Sequence, residues 1–202
     1  MNTNIIKLAI EKCKNNAFNK PSYQVDLPMD DLIEYFLRFL NRDKMLEIGK
    51  EQAPSAYVYA VFERTPPFQR NNDKWTSVMQ SSFVRNVLLG IKPPPLIFYS
   101  LSDTKSDCYI LDGLQRITAL TRFFTDADME IPFDNNVVLT AKEILENDTF
   151  QRMLWNLTMP LRIYQFNSER EAVEHYIEMN DQITHSQDDI LKAKKYLETI
   201  EG

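Results

Sequence analysis

Tyr109-Ile-Leu-Asp-Gly-Leu-Gln-Arg-Ile-Thr-Ala119 is the stretch on which the fold turns. A short apolar strand runs into Asp112-Gly113 and then directly into a helix bearing Gln115, Arg116 and Thr118. A helix N-terminus presents unpaired backbone N–H groups and a partial positive charge, so an anion is favoured there. Gly113 lets the backbone approach a ligand, and Arg116 adds a guanidinium fork matched to phosphate. The junction therefore predicts a phosphate site. Just upstream, Leu96 to Tyr99 reads as a core strand, Ser100 to Asp107 as a polar turn and Cys108 to Leu111 as the partner strand. The unit is strand, turn, strand, helix, with the last helix ending near Phe124.

Towards the N-terminus, Trp75, Val78, Met79, Ser82, Phe83, Asn86 and Val87 place a mainly apolar stripe on a helix. Gly90 is its expected C-terminal cap, with Pro93-Pro-Pro95 beyond it. Tyr57 to Phe62 is β-branched and aromatic and predicts a strand, ended by Thr65-Pro-Pro67 because proline cannot donate to a ladder. Ile5 to Phe18 predicts a modest helix and Tyr23 to Leu27 an edge strand. Leu32, Ile33, Phe36, Leu37 and Leu40 give a stronger helix that Asp30 or Asp31 can cap and that continues towards Ile48. Towards the C-terminus, capping-box patterns at Thr140-Ala-Lys-Glu143, Ser168-Glu-Arg-Glu171 and Ser186-Gln-Asp-Asp189 each predict a helix start. Leu161 to Phe166 alternates as a strand does, and the Ser168 helix buries Ala172, Val173, Tyr176 and Ile177.

Composition narrows the function. In 202 residues, 44% are apolar, enough to fill a sizeable core. With 23 basic against 29 acidic residues the net charge is −6, which counts against an exposed, sequence-blind nucleic-acid surface. Cys13 and Cys108 form no CxxC pair, so neither a thiolate zinc site nor a disulfide framework is indicated. No stretch approaches the roughly 18 apolar residues of a transmembrane helix, and Met1 to Lys7 lacks a signal-peptide core. A reduced, cytoplasmic protein is the expectation.

The chemistry-bearing residues gather in three places. Gln69 and Arg70 sit in Thr65-Pro-Pro-Phe-Gln-Arg70, a proline-stiffened loop leading to Trp75, where an ordinary polar loop capped by Asp73 is the plainer reading. Gln115 and Arg116 form a second Gln-Arg pair at a helix entrance, and two arginines converging on one site is what a di- or triphosphate needs. Asn180, which both donates and accepts, closes one helix, where a helix-terminating Asn is the plainer reading. Asp112 suits Mg²⁺ or general-base duty and also the N-cap of its helix, two compatible roles. His175 and His185 have no partner at metal-ligand spacing, and neither a GxSxG elbow nor a GxxxxGK[ST] loop is present.

Phe68-Gln-Arg70 with Trp75, Leu89-Gly-Ile-Lys-Pro-Pro-Pro-Leu96, Leu111-Asp-Gly-Leu-Gln-Arg-Ile-Thr-Ala-Leu120 and Tyr176-Ile-Glu-Met-Asn180 occur in an order that resembles the N-terminal domain of GmrSD-type modification-dependent restriction systems. That family has the ParB/sulfiredoxin-like fold. The resemblance implies an α+β domain over residues 57–202, with a small mixed sheet surrounded by helices; residues 1–56 lie outside it and are expected to form an N-terminal helical extension packed on the core. It implies nucleotide binding by Gly113, Gln115, Arg116 and Thr118, a second arm of Gln69 and Arg70, and Asn180 as a third. In this reading Arg116 and Arg70 stabilise phosphate charge during NTP hydrolysis or phosphate transfer, and Asp112 positions Mg²⁺ or a nucleophile.

Two departures from the family pattern stand out: Leu114 occupies the place of a usual second Gln, and no Gly-Thr pair follows Asn180. The sequence ends at Gly202 without the HNH half of the family pattern, so the resemblance does not imply nuclease activity of its own. Cys108 lies outside the motif in which sulfiredoxins carry their cysteine, and the helix-turn-helix and dimerisation segments of ParB proper are not evident. Two alternatives stay open: a non-catalytic, nucleotide-gated module for a DNA-processing protein partner or DNA, and a nuclease acting through this domain.

Overall fold

A computed structural model describes residues 6–11, 22–37, 61–101, 108–134, 136–180 and 187–200. Residues 6–11 are helical and exposed. Four strands form the main sheet: β1 (Ser22–Pro28), β2 (Leu96–Ser100), β3 (Tyr109–Asp112) and, late in the chain, Thr158–Gln165. The Thr158–Gln165 strand lies between β1, antiparallel, and β2, parallel, while β3 closes the far edge antiparallel to β2. The sheet is therefore mixed, as expected for an α+β domain. Tyr23 to Leu27 is the edge strand foreseen, and it pairs across the whole length of its neighbour, from Ser22 opposite Tyr164 to Pro28 opposite Thr158.

Alternation along the strands explains how the core divides. Phe98 and Ile110 point into one apolar cluster, and their chain neighbours Tyr99 and Leu111 into another. Successive side chains of a strand face opposite sides, so a sheet covered on both faces reads as a nearly continuous apolar run. On the first face lie α1 (Met29–Leu37), α2 (Ser77–Leu88) and α3 (Leu114–Thr125), contributing Leu32, Ile33, Val84, Ile117, Leu120 and Phe123. Each such fully buried side chain contributes about 1.5–3 kcal/mol. After α3 come a short hairpin of β4 (Glu130–Pro132) and β5 (Val138–Thr140), then α4 (Ala141–Leu145), α5 (Asp148–Leu154) and the Thr158–Gln165 strand, β6. On the second face, α6 (Glu169–Asn180) and α7 (Gln187–Thr199) pack around Phe68, whose ring lies 5.4 Å from that of Tyr176 and 5.8 Å from that of Tyr196.

Local signals account for most element ends. Thr76 caps α2 by accepting from the Met79 N–H at 3.3 Å, so the cap is Thr76 and not Asp73. At the other end Gly90 adopts φ +79, its N–H donating to Val87 O and that of Ile91 to Asn86 O, the paired bonds of a Schellman motif. Thr140 and Glu143 form a complete capping box. Ser168 accepts from the Glu171 N–H, while the Glu171 carboxylate accepts from the Asn167 N–H. The third box lies outside the described residues at Ser186, and α7 begins at Gln187.

Two expectations need correction. Val78 and Met79 are exposed; Val87 is buried and Phe83 packs on the core as expected, and α2 also buries Gln80, Ser81, Val84 and Leu88. The polar Gln80 can be buried because its Oε1 accepts from Arg122 at 3.0 Å. Trp75 precedes the helix and packs on Phe83. The expected strand at Tyr57–Phe62 lies largely outside the described residues, but Val61 and Phe62 are helical: Val61 O accepts from Arg64 N and from Thr65 Oγ1, curling the chain before Pro66. The helix expected at Thr140 is present and five residues long, and a second one, capped by Asn147, follows it. The continuation of α1 towards Ile48 and of the first helix to Phe18 lies outside the described residues. No helix among the described residues is long and apolar enough to cross a membrane.

Candidate functional site

The turn from β3 to α3 is made by Gly113 alone. Its φ of +99 is a left-handed conformation that glycine adopts without strain, and a Cβ there would lie 2.5 Å from Leu96 Cδ2. Gly113 is the N-cap residue, so Asp112 does not cap the helix as one of its expected roles had it. The reason is the sharp turn, which leaves Asp112 as the last residue of β3 and sends its carboxylate to Arg116, one helical turn on. Arg116 Nη2 donates to Asp112 Oδ2 at 2.7 Å. The N-cap residue is a glycine and gives α3 no side-chain cap, and a helix start of that kind keeps its partial positive charge.

Arg116 is more enclosed than an exposed phosphate-binding arginine. Its side chain is 13% exposed against 35% for Asp112, and its Nη1 donates to the carbonyls of Pro94 and Pro95. The three prolines cannot donate within a ladder, but their carbonyls can accept, and Arg116 takes two of them. Burial pushes the pKa of Arg116 below the ordinary arginine value, the Asp112 carboxylate opposes that shift, and the positive charge of Arg70 adds to it. Arg70 is thus within electrostatic reach of Arg116.

The remaining expected residues hold the walls of this place together. Gln69 is buried, its Nε2 donating to Leu111 O at 3.1 Å and to Ile110 O at 3.4 Å, while its Oε1 accepts from the Arg70 N–H. Gln115, also buried, accepts from the Trp75 N–H and donates to Asn71 O. Thr118 donates to Leu114 O and accepts from Asn72 Nδ2 at 2.6 Å. Together these bonds fasten the Gln69-to-Trp75 loop onto β3 and α3, which is how a loop without secondary structure can hold Arg70 steady. A buried amide left unbonded would cost about 1–3 kcal/mol, so each of these bonds is strongly specified. Asn180 is buried at the end of α6, its Nδ2 donating to Tyr176 O, and no hydrogen bond among the described residues joins it to Asp112, Arg70 or Arg116.

One residue near the site escaped sequence reasoning. Lys192 on α7 donates from Nζ to Gln69 O at 2.5 Å, across 123 residues of chain. It lies in an ordinary amphipathic helix, where a lysine reads as solvated surface; only its register against the buried Ala193 hints that it sits at the seam.

As for a metal, no cluster of three or more His, Cys, Asp or Glu side chains among the described residues could hold one. Asp112 is the carboxylate at the junction, and Arg116 engages only its Oδ2. A single partly exposed carboxylate fits Mg²⁺ of the kind held mainly by phosphates and water, not a protein-only metal cage.

Fold and site together define the class: an α+β domain whose mixed sheet ends in a strand-to-helix turn flanked by two arginines and a polar loop pinned across it. The chain matches the GmrSD restriction endonuclease N-terminal domain over residues 55–201 and belongs to that family. It is thus a domain of the restriction and defence class. No curated protein and no solved structure matches it.

Proposed function

We propose that the domain binds a nucleoside triphosphate with its phosphates at the start of α3, and hydrolyses it or transfers a phosphate. The observation that carries this reading is the left-handed Gly113 turn, which sets Arg116 on the first turn of α3 beside Asp112, with the Arg70 loop pinned to β3 and α3 by Gln69 and Gln115. An anion at that point meets the helix dipole and the Arg116 guanidinium at once. Mg²⁺, when bound, would neutralise phosphate charge, with Asp112 as its protein ligand. Arg116 would then exchange Asp112 for phosphate oxygens and stabilise the charge that develops in transfer. Gln69, Gln115 and Thr118 support this arrangement by holding the Arg70 loop, and Gly113 by leaving room for the approach.

A second reading rests on Pro94 and Pro95. Because their carbonyls share Arg116, a ligand that captured this side chain would loosen the Pro93–Pro95 segment, so binding without turnover could gate contact with a DNA-processing partner or DNA. Phosphate release measured with Mg²⁺ and each of the four common NTPs separates the two. The leading reading expects turnover by the wild type and its loss in Arg116→Ala. Tight binding with no turnover would leave the gating reading in its place, and an Arg116→Ala variant that binds and turns over normally would remove the site altogether.

A further inference from the structure

The Gln69–Arg70 peptide is held from two sides. From within, the Gln69 amide reaches the carbonyls of Ile110 and Leu111 on β3. From outside, Lys192 donates to Gln69 O at 2.5 Å. That carbonyl belongs to the peptide unit whose nitrogen is Arg70 N, so the ammonium group stands beside the backbone of the very arginine whose charge already bears on Arg116. Lysine carries three donors, and the Gln69 carbonyl uses one.

The helix that delivers Lys192 is not loosely attached. Ala193, next in the chain, is fully buried in the second-face cluster. One turn further on, Tyr196 packs its ring on Phe68 and donates its hydroxyl to Glu169 Oε1 at 2.9 Å. Phe68 is itself the residue before Gln69, so α7 grips the loop at two consecutive positions, by an apolar contact and by an ammonium. A long side chain that ordered itself only to meet one carbonyl would lose rotamer entropy of about 1.5–2 kcal/mol, close to the whole yield of such a bond. A multiply charged anion bound beside the Gln69–Arg70 peptide would offset that cost.

We propose that Lys192 is the third cation of the site, a positioning residue that fixes the Gln69–Arg70 peptide and adds positive charge for the distal phosphates of a triphosphate. The proposal rests on the nucleotide reading above. In it α7 closes the site from the second face of the sheet, so three separate segments, α3, the Gln69 loop and α7, each supply one cation.

The test is calorimetric binding of the four NTPs, the matching monophosphates and inorganic triphosphate, all with Mg²⁺, to the wild type, Lys192→Met and Lys192→Arg, together with the melting temperature of each without ligand. Methionine keeps the apolar stem and removes the charge. The expected result is a loss on the order of tenfold in NTP and inorganic triphosphate affinity for Lys192→Met, with a much smaller loss for the monophosphate, an unchanged ligand-free melting temperature, and recovery in Lys192→Arg. Undiminished triphosphate affinity in Lys192→Met would overturn the role of Lys192 while leaving the nucleotide reading intact. An equal loss for tri- and monophosphate together with a lowered melting temperature would reduce Lys192 to a structural clasp. A wild type that binds none of these ligands would end both.

Discussion

Two strand-to-helix junctions in this domain solve the same problem in opposite ways. At Thr140, β5 passes into α4 through a capping box: the threonine hydroxyl accepts from the Glu143 N–H, and the Glu143 carboxylate accepts from the Thr140 N–H at 2.8 Å. The helix start is satisfied by these two side chains and by the carbonyls of Met129 and Ala127, which accept from the Ala141 and Lys142 N–H groups. At Gly113, β3 passes into α3 with no side-chain cap, and the nearest carboxylate, Asp112, is turned to Arg116. Capping with Ser, Thr, Asn or Asp contributes about 1 kcal/mol, so the second junction forgoes stability that the first one takes. At the open start Leu114 and Gln115 are buried, whereas the capping bonds of the closed one are exposed. A helix whose first N–H groups are satisfied has nothing left to offer an anion, and one whose groups are not is free to bind it.

The comparison breaks first at Gly113. Gly113→Ala is expected to destabilise by about 2–4 kcal/mol in urea unfolding, from the left-handed backbone and the contact with Leu96. A loss well below 1 kcal/mol would mean that the turn relaxes and that glycine is not required. Next comes Arg116→Met, which leaves Asp112 and two proline carbonyls without their donor. A loss of about 1–2 kcal/mol together with loss of NTP binding is expected, since the pair is partly exposed and only part of its Coulomb energy counts. Thr140→Ala should cost about 1 kcal/mol and leave NTP affinity where it was, because the capped junction takes no part in binding. Any change in affinity there would erase the contrast between the two helix starts.

The smallest effect is one of pH. Hydrogen bonds from the Thr140 backbone and hydroxyl hold the Glu143 carboxyl below the ordinary glutamate range. Its folded pKa is therefore lower than its unfolded one, so its stabilisation is complete above the unfolded value and is lost as pH falls through the folded one. Melting curves of the wild type and Glu143→Gln should converge on acidification below that range. Curves that stay parallel would show that the box adds nothing through charge.

Much of this was legible in the residues themselves. The Gly113 turn, the Gly90 stop and the Thr140 box are local matters, decided by which backbone angles glycine alone allows and which side chains reach an N–H three residues away. The family follows from the order of motifs along the chain, and the match over residues 55–201 agrees with it. The burial of Gln80 in α2 was not legible, because it depends on Arg122 from another helix. Nor was the fate of Asp112: its partner is four residues away, but whether it caps the helix or pairs with Arg116 depends on how sharply Gly113 turns.

The sequence by itself determined where the strand, the glycine and the arginine-bearing helix follow one another, since each is set by neighbours within a few residues. Only the tertiary structure decided which groups surround that junction. The loop that carries Arg70 is fastened beside it by the bonds of Gln69 and Gln115, and Lys192 meets the Gln69 carbonyl through the seat of α7 on Phe68, contacts that span about 40 to 120 residues of chain. Such contacts form only when the sheet buries both of its faces, and no periodicity in one segment can encode a partner that another segment supplies.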